Sequence, residues 1–266
     1  MAQNTNSAGD PDRVARQPGR TGASYAGKLL KIIICIIVLL LGIHLLLQYL
    51  NLVVYGEQNG FVFELSNRWD LDDEISVPTW VSQVLLLLAG GLSLIVARME
   101  SAVGRRRLWY IFGGLGVLLS LDEGASLHEF ALQSLHNIYF LDTSPTLSSN
   151  AWWLVSPLIL VAGGLLAWHV ARLLPRRTAV LLAIGGLSAV VGATVIDAIA
   201  SSITADPFFQ QGILVGIEEG VELAGSAVVI YAIVDYAQTH HRQHLQRIVS
   251  TCKATRSLPK HTDTIS

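Results

Sequence analysis

Residues 29–50 read LLKIIICIIVLLLGIHLLLQYL, an apolar run broken by few polar side chains. As a helix rising about 1.5 Å per residue it crosses a hydrocarbon core of roughly 30 Å. The run exceeds the apolar segment of a signal peptide and no small-residue cleavage site follows it, so it reads as a retained first span. Runs of matching length recur at about 78–98, 108–130, 152–173, 178–203 and 211–237. The expected fold is all-α: a polytopic six-helix transmembrane bundle over residues 29–237, between a disordered tail at 1–28 and a basic tail at 238–266.

Whole-chain composition agrees, with 52% hydrophobic and 14% charged residues and a mean hydropathy of +0.49. These values exclude a free-standing soluble enzyme. The net charge of -2 gives no basis for nucleic-acid binding. Two cysteines, Cys35 and Cys252, supply neither a disulfide framework nor a structural zinc site.

Charge distribution says more than its sum. Of 18 Lys and Arg, all but Arg68 lie in the N-terminal stretch through Lys31, between Arg98 and Arg107, between Arg172 and Arg177, or after Thr239. Six spans place all of these on one side, which the positive-inside rule makes the cytoplasm. Both termini are then cytoplasmic and the protein is multi-pass in the cell inner (plasma) membrane. The outer segment carries Glu57, Glu64, Asp70, Asp72, Asp73 and Glu74. Trp80, Trp109, Trp152 and Trp153 fall at span ends, as an interfacial aromatic belt requires. Gly212, Gly216, Gly220 and Ala224 form a small-residue stripe that admits a neighbouring backbone. Partners are expected to be membrane lipids and no nucleic acid; a homo-oligomer or a second membrane protein stays open.

Several carboxylates lie inside apolar runs. Asp122 and Glu123 in the third span, and Glu218, Glu219 and Glu222 in the sixth, fall at similar depth in the outer half. At about 100° per residue Asp122, Ser126 and Glu129 share a face of a continuous third helix, with His128 off it. His44, Gln48 and Asn51 align on the first span, and Thr194, Asp197, Ser201 and Thr204 on the fifth. Each mid-helix acid costs about 2.5 to 3.5 kcal/mol on the insertion scale, and no Lys or Arg is available in that layer. Raised protonation, carboxyl–carboxylate hydrogen bonds, a wet vestibule or bound cations are the ways out, and a metal answers the charge problem best. Expected ligands are Asp122, Glu123, Glu129, Glu218, Glu219 and Glu222, with His128, His44 and Asp197 as additions. The set suits Fe, Mn or Zn, or Ca if His is excluded. Neither a zinc-protease motif nor a Glu-x-x-His pair is present.

The motifs D-L-D-x-E-x3-P-T-W at 70–80, S-L-D-E-x4-H-E at 120–129 and E-E-x2-E at 218–222 resemble those of a group of uncharacterised bacterial six-span membrane proteins, over about residues 30–237. That resemblance implies topology and no chemistry. Intramembrane hydrolases related to alkaline ceramidase also use an acid, a Ser and His ligands, but this chain has too few spans and no paired His near its C-terminus. Three functional classes therefore follow from the residues. The first is a metal site activating water or O2 against a lipid-like substrate, with a Glu as general base. The others are a cation or proton carrier and a non-catalytic assembly subunit whose acids join helices.

Overall fold

The computed structural model describes residues 25–127, 130–131, 148–196, 199 and 205–242, with backbone only for 148–160. Among the described residues the chain is entirely helical, with seven helices and no strand. Helix α1 (Tyr25–Gln48) continues as a π-helical segment, Tyr49–Val54, and starts four residues ahead of the apolar run. A short α2 (Gly60–Arg68) follows, begun by Asn59, whose side chain accepts from the Val62 amide. Helix α3 (Val77–Met99) is capped by Ser76, which accepts from the Thr79 amide at 3.2 Å, with Pro78 in the first turn where its missing N–H costs nothing. Helix α4 (Val103–Ala125) returns after a three-residue link. Helices α5 (Ser148–Leu173) and α6 (Arg176–Val190) are joined by Leu174 and Pro175, and α6 runs on into a π segment, Val191–Ile196. A third π segment, Phe208–Leu214, leads into α7 (Val215–His240).

Three of these rods are long and apolar enough to cross a membrane: Tyr25–Val54, Val77–Met99 and Arg176–Ile196. Most of their apolar surface faces outward, with Val38, Leu39 and Leu187 each more than 60% exposed. So large an apolar surface needs lipid or protein around it.

Glycines set the closest approaches. A Cβ on Gly116 of α4 would sit 2.7 Å from Gly90 Cα, so α3 and α4 touch backbone to backbone. Gly185 of α6 and Gly225 of α7 meet in the same way. The expected stripe also has a definite partner. Gly216 and Gly220 lie against Leu41 of α1, and Gly212 lies against Gln48. Helix α7 is thus enclosed by α1, α3 and α6. Its lower half, with Leu223, Ala227, Ile230, Ile233 and Tyr236, joins Trp109, Val96 and Ala97 in the hydrophobic core.

The third predicted helix is corrected. Ser126 adopts a left-handed conformation (φ 47°) and ends α4, so the helix does not run on through residue 130. A fresh turn begins beyond it, where the Phe130 amide donates to the Ser126 carbonyl. The expected face of Asp122, Ser126 and Glu129 is interrupted at Ser126, because a residue in that conformation cannot continue a right-handed helix. Residues 1–24 and 243–266, which contain most of both predicted tails, lie outside the described residues.

Candidate functional site

Two polar centres occupy opposite ends of the bundle. At one end, the predicted outer one, α7 presents Glu218, Glu219 and Glu222, and α4 ends on Asp122 and Glu123. Helix α4 is brought there by its antiparallel run along α3: Ser120 donates to the Gln83 carbonyl at 2.9 Å, and Gly124 is small enough to lie against the Gln83 amide. Glu219 lies within electrostatic reach of four other carboxylates, Glu222, Glu123, Asp72 and Glu218, drawn from α7, α4 and the loop before α3. Glu222 is held against the π segment that continues α6: a Cβ on Gly192 would lie 2.5 Å from its Cγ. Among the described residues, no three acidic, His or Cys side chains stand close enough to hold one metal ion. All three π segments belong to this end. Such segments are rare and recur at functional positions.

The loop reaches the acids through a hook formed by Asp70. Asp70 accepts from Gln48 Nε2 at 2.9 Å, and its other oxygen lies 3.5 Å from His44 Nδ1. His44 is fully buried; its Nε2 lies 3.2 Å from the Gly212 carbonyl, and its Nδ1 accepts from the Leu71 amide at 3.4 Å. Both ring nitrogens are thus engaged. His44 therefore ties α1 to α7 and to the loop, and Leu71 is buried beneath. Burial pushes the Asp70 carboxyl above its ordinary range, against the opposing pull of His44 and of the Asp72 amide. The expected alignment of His44, Gln48 and Asn51 is found, all three being buried. The signal for Asp70 was in the sequence, since it opens the alternating D-L-D-x-E segment, but nothing local shows which acid of that segment turns inward.

Of the remaining candidate ligands, His128, Glu129 and Asp197 lie outside the described residues. Asp122 and Glu123 are half-buried at the end of α4.

The other centre was not anticipated. Glu100, only 5% exposed, follows α3 and accepts from Tyr236 Oη at 2.6 Å, Arg105 Nη2 at 3.0 Å and the Ala102 amide at 3.2 Å. His241 Nε2 lies 3.5 Å away. Desolvation alone would raise this carboxyl, but the hydrogen bonds from Arg105, Tyr236 and Ala102 outweigh it and hold the group at about 2. The contact locks the α3–α4 link to the far end of α7. Nothing in the basic run around it flags Glu100 as buried.

No curated protein and no solved structure matches the chain. A family model described as a domain of unknown function (DUF8692) matches residues 28–237, all but the outermost three residues at each end of the stretch from Tyr25 to His240. That extent coincides with the stretch over which the motifs resemble an uncharacterised family, and the chain belongs to the family of this domain of unknown function.

Proposed function

We propose that the protein is a six-span plasma-membrane protein with both termini in the cytoplasm, and that its outer acidic centre binds a divalent cation. The observation that carries this reading is the convergence on Glu219 of Glu222, Glu218, Glu123 and Asp72 from three separate segments. Carboxylates within reach of one another in a low-dielectric layer repel, and a cation removes both the repulsion and the insertion cost. With both ring nitrogens of His44 engaged elsewhere, a ligand set of carboxylates favours a hard ion such as Ca or Mn over Zn. Binding draws Glu219 and Glu222 toward Glu123. The apolar flank of α4 beside these acids, where Leu118, Leu119 and Leu121 are exposed, gives a lipid-like substrate access from the bilayer. A through-membrane carrier is less well supported, because the opposite half is filled by the fully buried Trp109, Ile230, Ile233 and Tyr236.

Elemental analysis of the purified full chain tests the reading, together with melting curves in Ca, Mn and Zn. Stoichiometric metal, or a cation-dependent rise in melting temperature, is expected in the wild type and lost in Glu219→Gln and Glu222→Gln. A wild type that holds no metal and melts identically in all three cations overturns it.

A further inference from the structure

The end of the bundle that carries Glu100 also bears an open groove of about 580 Å3 between the start of α6 and α7, lined by Arg176, Arg177, Val180, Leu181 and Tyr231. Its chemistry is split along its length. Arg176 and Arg177 stand at the first turn of α6, and Val180 and Leu181 follow one turn on, about 6 Å further along the axis. Helix α6 together with its π continuation, Arg176–Ile196, is apolar and long enough to cross a membrane, so its first residues lie at the boundary between water and headgroups and its next turn at the top of the acyl chains. Arg172, at the adjoining end of α5, lies 4.1 Å from the Trp168 ring centroid, a pairing suited to the same boundary.

Arg177 has two partners on α7. One of its terminal nitrogens donates to Tyr231 Oη at 3.0 Å and to Asp235 Oδ1 at 3.2 Å. A guanidinium has five N–H donors, so most remain for a ligand, and Tyr231 Oη, already accepting from Arg177, keeps its own proton to donate. Asp235 offsets one of the two positive charges and leaves the groove net cationic. Helix α6 begins at Pro175 with no side-chain cap, which leaves the partial positive charge of its first-turn amides uncompensated by a carboxylate or hydroxyl. The occupant that matches this order of groups carries a phosphodiester anion attached directly to hydrocarbon.

We propose that this groove is a binding site for one anionic phospholipid, its phosphate on Arg176, Arg177 and Tyr231 and an acyl chain along Val180 and Leu181. The site is independent of the cation centre at the opposite end. A soluble phosphate would use the arginines but leave the apolar half of the groove empty, and a zwitterionic lipid would bring a cationic choline against the two guanidinium groups.

The test uses the full-length protein, delipidated in neutral detergent and titrated with phosphatidylglycerol, phosphatidylcholine or inorganic phosphate, with retained lipid read by native mass spectrometry and stability by melting temperature. Phosphatidylglycerol is expected to be retained at one molecule per chain and to raise the melting temperature, with phosphatidylcholine and inorganic phosphate inert at equal concentration. Arg176→Gln, at an exposed position that the fold does not depend on, should weaken retention about fivefold, the loss of one basic contact. Arg107→Gln, at an exposed position on α4 outside the groove, should change nothing. Equal retention of phosphatidylcholine, saturation by inorganic phosphate, an unaltered Arg176→Gln variant, or an equal loss in Arg107→Gln would each overturn the proposal, the last by showing diffuse surface attraction.

Discussion

Replacing Glu100 by Gln probes the joint between the α3–α4 link and α7. In the native protein this carboxylate accepts three hydrogen bonds, from Tyr236, Arg105 and the Ala102 amide, and is held at about 2 against an ordinary 4.5. The folded state therefore binds the proton less tightly than the unfolded one. Stabilisation is complete above about 4.5 and is lost as pH falls toward 2, and the difference is worth about 3 kcal/mol. Gln keeps the shape but only one acceptor oxygen: with that oxygen toward Tyr236 its amide NH2 meets the N–H donors of both Arg105 and Ala102, and turned the other way the NH2 meets the Tyr236 hydroxyl. Arg105 is 40% exposed and rehydrates when released, so the cost falls on the buried contacts. We expect a loss of about 2 to 3 kcal/mol at pH 7, which is roughly 5 to 10 °C in melting temperature for a chain of this size. The variant should also lose the dependence of stability on pH between 4.5 and 2. Tyr236→Phe should show about half the effect, since it removes one charge-assisted bond. Thermal unfolding in detergent, followed by intrinsic fluorescence, is a suitable assay because Trp109 lies 5.0 Å from Tyr236, ring to ring. A Glu100→Gln variant melting within about 1 °C of the wild type, or a stability loss that begins near pH 6 where a His titrates, refutes the assignment.

Gly116→Ala should destabilise by about 1 to 3 kcal/mol, because its Cβ would lie 2.7 Å from Gly90 backbone, while Gly114→Ala, with nothing within 4 Å, should be neutral or slightly stabilising. Melting curves of the two variants separate a backbone contact from a mere helix-propensity effect. At the other end, Asp70→Ala strands the Gln48 amide and should cost about 1 kcal/mol. Asp70→Asn should be as stable as the wild type or more so at pH 7. Burial raises this carboxyl, so the folded state holds its proton more tightly and ionisation above the ordinary range weakens the fold. Limited proteolysis of the loop after α2 reports the same contact independently.

Much of the architecture was legible because hydropathy and helical period are properties of consecutive residues. The apolar runs marked where the rods lie, and the four-residue spacing of Gly212, Gly216 and Gly220 marked the contact with α1. The phase of His44, Gln48 and Asn51 likewise pointed inward, as it must on any regular helix with one enclosed face. Ser126 was read wrongly for the converse reason. A single left-handed residue interrupts a helix without altering the hydrophobic pattern, so the period continued on paper past the point where α4 ends.

What the sequence by itself determined was the solvent of each segment and the presence of carboxylates where they are hardest to keep, since transfer energies depend on residue type alone. Which carboxylates meet was decided only in three dimensions. Asp72 comes near Glu219 because Asp70 is captured by Gln48 and His44. Glu222 lies against the π segment after α6 because Gly192 leaves room for it. Glu100 is buried because Tyr236, 136 positions later, reaches back to it. These contacts join residues far apart along the chain, and their energies depend on distance and burial, which exist only once the helices are placed.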